Sequence, residues 1–130
     1  MKSVIQLLGA TCVELDASSH DAAVAQVSHL PQIMATLLAG SLQGVAPAWL
    51  DLAGAGLRDT TRIAASDENL WKEIINSNSK EIKGLLTTLH NELGVLIDAL
   101  DDQEKIAEIM RKGRDGRNLI PGKHLSLIHI

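Results

Sequence analysis

Apolar side chains recur along most of this chain at helical rather than alternating intervals. The clearest run has Ile82, Leu86, Leu89, Leu93, Leu96 and Leu100 spaced 4, 3, 4, 3 and 4. That interval predicts a long helix from about Ser79 to Leu100 with a near-continuous heptad seam, which Leu85 and Ile97 widen for packing against several neighbours. Gly84 and Gly94 lower its intrinsic helicity by about 1 kcal/mol each, and leave room for another helix to cross closely.

Upstream, Ser18 and Ser19 are competent N-caps for HDAAVAQVSHL, with Asp21 adding negative charge in the first turn. Pro31 has no backbone N–H and its ring crowds the preceding turn, so the helix must kink or restart there. QIMATLLAGSL carries the pattern on to about residue 43. Gly44 and Pro47 punctuate it, APAWLDL predicts a short helix, and AGAG at 53–56 reads as a turn. Residues 57–67 form a polar connection, and Ser66 with Asp67 opens a helix through NLWKEIINSN. Asp102 caps a final amphipathic helix through Ile106, Ile109 and Met110, with Arg111 and Lys112 suiting its C-terminal end. GRDGRNLIPGKH then reads as a linker, and LSLIHI at 125–130 as an apolar tail without a partner, truncated or foreign. At the other end, SVIQLL predicts a short helix and ATCVEL at 10–15 a strand. Alone, that strand has unpaired edges; it makes sense as the last strand of a sheet whose remainder is missing. The expected organisation is therefore a strand remnant in 1–16, an all-α helical bundle in 17–116, and a linker and tail in 117–130.

Composition narrows the function classes. The 130 residues are 45% hydrophobic and 22% charged, enough for one domain with a core. With no Phe, no Tyr and only two Trp, that core must be filled by Leu, Ile, Val, Ala and Met. The formal charge of −4 argues against binding nucleic acid, whose phosphates reward a positive surface. Cys12 is the single cysteine, which excludes an internal disulfide and a cysteine zinc cluster. No 18-residue uninterrupted apolar stretch and no secretory signal are present, so no membrane partner and a cytoplasmic location are expected. There is no GxGxxG or P-loop pattern, and 130 residues cannot hold a dinucleotide-binding half and a substrate half together.

The densest candidate chemistry is Arg58-Asp59-Thr60-Thr61-Arg62. On a helical turn the two arginines share a face, and Asp59 can pair with Arg62. A guanidinium held by a carboxylate offers its remaining donors as a fork to a ligand carboxylate or phosphate. A surface salt-bridge cluster fits the same spacing. Asp59, beside two arginines, has its charged form stabilised and suits orienting Arg62 better than accepting protons. His29, just before the Pro31 break, either aims into a pocket or faces solvent. His20 and His29 are nine apart, on opposite helix faces, and are no metal pair. Trp71, nine residues beyond Arg62, either walls a pocket or anchors the core. These residues describe a helical interaction domain with a carboxylate-binding corner and name no reaction.

Two long segments carry a resemblance. GATCVELDASSHDAAVAQVSHLPQ and AGAGLRDTTRIAASDENLWKEIINSN resemble the C-terminal region of the prephenate dehydrogenase family, whose members carry S-H-L-P-H, G-F-R-D-x-T-R-I-A and L-W motifs. RNLIPGKH also resembles the linker that in some members leads to a regulatory ACT domain. The resemblance implies an all-helical substrate-binding and dimerisation domain beside a Rossmann domain that holds NAD or NADP and the catalytic histidine. It implies oxidative decarboxylation of prephenate, or oxidation of arogenate, on the route to tyrosine. Arg62 then matches the arginine that grips a substrate carboxylate, Asp59 the acid of the ionic network, His29 the first histidine of S-H-L-P-H, and Trp71 the tryptophan near the cleft. No catalytic residue and no metal site are implied here, and the chain alone is expected to be inactive. The expected partners are prephenate or arogenate and a second copy of the chain; the alternative is a free-standing helical dimerisation or regulatory module. Two departures stand out: Gln32 replaces the second histidine of S-H-L-P-H, and Leu57 replaces the aromatic before Arg58.

Overall fold

A computed structural model describes residues 10–11, 15–122 and 126–127. The helix expected over 3–8, Cys12, and most of the apolar tail lie outside the described residues. The chain divides into two compact units, one of Ala17–Leu89 and the other of Met1–Asp16 with His90–Ile130.

The first unit is built around helix α1, Ala17–Gly40. It starts at Ala17, so Ser18 and Ser19 lie in its first turn rather than ahead of it. Pro31 does not end the helix. The turn before it, Ala25–His29, widens to π-helical winding, with the Leu30 N–H donating to the Ala25 carbonyl, and α-helix resumes over Leu30–Gly40. A widened turn relieves the clash that a proline ring imposes on the carbonyl four residues back. By length and composition alone α1 is long and apolar enough to cross a membrane. Its buried positions, Ala25, His29, Leu30, Gln32 and Ala35, include two polar side chains hydrogen-bonded to other segments of the unit.

Gly44, at φ +81, takes the left-handed conformation that ends this region. Short helix α2 is Pro47–Leu50. Helix α3, Ala55–Thr61, begins inside the AGAG segment read as a turn, and passes into a 3-10 turn over Arg62–Ala64. Helix α3 and its 3-10 turn pack against the second half of α1. Helix α4, Glu68–Ser77, is capped by Asp67, whose carboxylate accepts from the Asn69 N–H at 2.9 Å. Helix α5, Ser79–Asp98, matches the predicted seam helix within two residues, and the boundary between the units falls inside it.

In the second unit, helix α6 is Gln103–Asn118. Asp102 caps it as expected, accepting from the Lys105 N–H at 3.1 Å. It continues through GRDGRN, which the sequence presents as linker. The cluster of Arg111, Lys112, Arg114 and Arg117 near its C-terminal end favours that extension despite two glycines.

One expectation is overturned. The strand over 10–15, taken as a remnant of a nucleotide-binding sheet, is not part of the fold. Among the described residues, pairing is confined to a two-residue parallel contact of Ala10–Thr11 with Ser126–Leu127, and residues 15 and 16 are irregular. A strand usually needs about three residues or more. The described fold is all-α, and its short contact joins the chain's own ends rather than a second domain's sheet.

Candidate functional site

His29 lies in the widened turn of α1 and is buried, with 8% of its surface exposed. Its ring meets Trp71 of α4 edge-to-face, with centroids 6.1 Å apart and planes at 85°. Trp71 is half-buried, so it closes one side of the histidine while keeping part of its own ring exposed. On the other side Asn78, also buried, places its Nδ2 3.2 Å from His29 Nδ1. Burial pushes the His29 pKa below its ordinary 6.5, because a charged imidazolium loses water there. The Asp21 carboxylate opposes that shift and His20 adds to it; burial dominates.

One helical turn beyond His29, Gln32 is buried and donates from Nε2 to the Ile63 carbonyl at 3.0 Å. Ile63 is the second residue of the 3-10 turn that Arg62 starts. The same carbonyl accepts from the Ser66 hydroxyl, so it is held from two directions. Gln32 thereby fixes the turn carrying Arg62 against the helix carrying His29. In the sequence Gln32 stands out as a departure from the family motif that can tune pocket shape or hydrogen bonding, but nothing there points to the Ile63 carbonyl as its partner.

Arg62 itself is exposed, as are Arg58 and Asp59. The expected Asp59–Arg62 ion pair is not among the ion pairs of the described residues. The guanidinium is therefore free to meet a ligand, on a backbone that is held in place. Thr60 and Thr61 spend their hydroxyls on the Gly56 and Leu57 carbonyls of α3, at 2.6 and 2.7 Å. That leaves the arginines as the donors this segment can offer. The structure thus joins His29 to Trp71 directly, ties Arg62 to them through Gln32, and leaves Asp59 at the surface of α3.

A second feature lies in the other unit, a cleft of about 840 Å³ between the C-terminal half of α5 and α6. Glu92, Val95, Lys105, Ile109, Lys112 and Leu119 are among its lining. Its charges compensate one another, with Lys112 3.1 Å from Glu92 and Lys105 3.4 Å from Glu108. None of the motif residues reaches it. Among the described residues no three of His, Cys, Asp or Glu converge as a metal site.

Comparison with known proteins places this geometry in context. Residues 16–112 match the family described as prephenate dehydrogenase, dimerization domain. A probable prephenate dehydrogenase of Streptomyces niveus is 27% identical over 133 residues, covering 93% of this chain and 37% of that protein. A prephenate dehydrogenase of Lactococcus lactis is 37% identical over 81 residues, covering 60% of this chain and 23% of its own length. The crystal structure of Synechocystis arogenate dehydrogenase superposes with a TM-score of 0.76 at 24% identity, over 89% of this chain and 44% of that one, a likeness of fold. This chain thus spans less than half the length of the proteins it matches.

Proposed function

The chain belongs to the prephenate dehydrogenase dimerization-domain family, and from that premise we propose that it is the substrate-binding and dimer-forming part of an NAD(P)-dependent prephenate or arogenate dehydrogenase. In this reading Arg62 grips a carboxylate of the substrate, His29 and Trp71 wall the ring-binding side, and Asp59 contributes charge at the rim. Prephenate and arogenate are carboxylates on a non-aromatic ring, which suits a planar cationic fork beside an aromatic wall.

The chain's own residues do not fit a dinucleotide. Its described residues form helices, without the Gly-rich strand-to-helix turn that cradles a pyrophosphate. NAD or NADP, which takes the hydride in such a reaction, is assigned to a part of the enzyme outside this chain, and the isolated chain to inactivity. The observation that carries the reading is the buried His29 set edge-on to Trp71, 42 residues away in sequence, with the Arg62 turn fastened to the same helix.

Homodimerisation is supported by the family's description as a dimerization domain and by the predicted seam. Its Ile82 is buried, but Leu93 and Leu100 stay 55% and 61% exposed, beside Ile97 at 60%. A two-fold partner would cover such a face.

Calorimetric titration of the chain with prephenate and with arogenate tests the substrate assignment. Binding of one of them, weakened about 10- to 100-fold in R62A as expected for loss of a charge-assisted contact, supports it. Absence of binding by both, or unchanged affinity in R62A, contradicts it.

A further inference from the structure

Asn78 stands in the single-residue gap between α4 and α5, and its side chain reaches back to α1. Its Nδ2 lies 2.9 Å from the Asp21 backbone carbonyl and 3.2 Å from His29 Nδ1. A backbone carbonyl can only accept, so the Asn78 atom facing it must be the amino nitrogen, which carries two hydrogens and no useful lone pair. One hydrogen goes to Asp21. The second meets His29 Nδ1, which must therefore present a lone pair, since two donors cannot face each other across 3.2 Å.

The ring proton is then on Nε2. No hydrogen bond reaches Nε2 among the described residues, and no buried side-chain nitrogen or oxygen there lacks a partner, so the small exposed part of the ring includes Nε2.

We propose that Asn78 is a positioning residue that locks His29 in its neutral Nε2–H tautomer, so that the ring offers a ligand a hydrogen-bond donor rather than a proton acceptor. A protonated ring would turn Nδ1 into a donor against the Asn78 amino group, a cost added to that of burial. The charged and titratable neighbours are the Asp21 carboxylate and the His20 ring, whose influences on His29 oppose each other; Trp71 carries no charge. The functional consequence, a donor aimed at a carboxylate or ring oxygen of the substrate, rests on the reading of His29 as part of that site. The tautomer does not.

Long-range nitrogen–proton NMR of the chain, with the His29 signals assigned by their loss in H29Q, reads the protonation of each ring nitrogen directly. The expected result at neutral pH is a protonated Nε2 and an unprotonated Nδ1. In N78D, a carboxylate facing Nδ1 should reverse the tautomer and raise the His29 titration midpoint by about one pH unit or more; in N78A both tautomers should appear. A wild-type ring that is Nδ1–H or charged at pH 7 overturns the proposal whether or not any variant folds. So does a folded N78D with unchanged tautomer and midpoint. Addition of prephenate separates the two claims: a confirmed tautomer whose Nε2 signal ignores the ligand upholds the Asn78 assignment and counts against the proposed substrate.

Discussion

Two helical regions of this chain treat their side chains in opposite ways. Around His29 the side chains that a core would normally exclude, His29, Gln32 and Asn78, are buried, and each has a hydrogen-bond partner. From the C-terminal half of α5 through the following turn and α6, Ala99 is the one buried residue among those described, while Leu93, Ile97, Leu100 and Met110 stay open. Burying polar groups costs stability unless every one is satisfied, so the first region is fixed in a single arrangement. Leaving large apolar groups in water costs roughly 25 cal/mol per Å², so the second has most to gain from a partner. Under the proposed function, the contrast separates a region that holds a small polar ligand from one that meets another surface. It is not absolute, since Trp49 and Leu52 of the first unit are also exposed.

The largest expected effect comes from breaking the second region. Leu93→Glu puts a charge on the open face of α5, twice over in a symmetric dimer. It should raise the dimer dissociation constant by about 100-fold or more in sedimentation equilibrium, leaving the helical content unchanged. A wild-type chain that sediments as a monomer at tens of micromolar removes the interface reading altogether.

In the first region the same logic runs through hydrogen bonds. Gln32→Ala deprives the Ile63 carbonyl of one of its two donors and should cost about 1 kcal/mol in chemical denaturation, with ligand affinity falling as the Arg62 turn loosens. Loss of affinity without loss of stability would mean that Gln32 touches the ligand itself.

A smaller effect follows from His29. Its pKa is lowered in the folded state, so below the ordinary value of 6.5 the unfolded chain binds protons that the folded chain refuses. The contribution is fully present above pH 6.5 and is lost as pH falls from there through the lowered folded value. Thermal unfolding of wild type minus H29Q should therefore show a stability difference that shrinks on acidification in that window. A difference flat from pH 7 to pH 5 would show that His29 titrates as in the unfolded chain.

The smallest effect belongs to the exposed Lys112–Glu92 pair. Lys112→Ala should change stability by less than about 0.5 kcal/mol, because solvent screens such pairs. A larger loss would mean that the pair is covered in the assembled protein.

Much of this was legible in the sequence where the signal is local. The 4-3-4 spacing located α5 to within two residues, and Asp102 sits where a cap was expected. The motif residues His29 and Trp71 do meet. What escaped was whatever depends on distant partners or on winding. Pro31 signals a break, but the sequence does not show that a widened turn can absorb it. Asn78 looks like a polar turn residue between helices, while the groups it bonds are 57 and 49 residues away. Gly113 and Gly116 suggest a linker, and the cationic end of α6 outweighs them. Beta-branched Thr11 and Val13 suggested a strand, and among the described residues pairing there extends to Ala10 and Thr11 only.

The central claim is that one arginine, on a turn fastened to the helix that carries His29, is the carboxylate clamp. Arg58 is a built-in control, equally cationic, exposed, and four residues away on α3. Titration of R62A and R58A with the substrate that wild type binds tests the claim most directly. The account predicts a loss of about 10- to 100-fold in R62A and little change in R58A. Equal losses in both would mean diffuse electrostatic attraction, and a loss confined to R58A would place the clamp on the wrong residue.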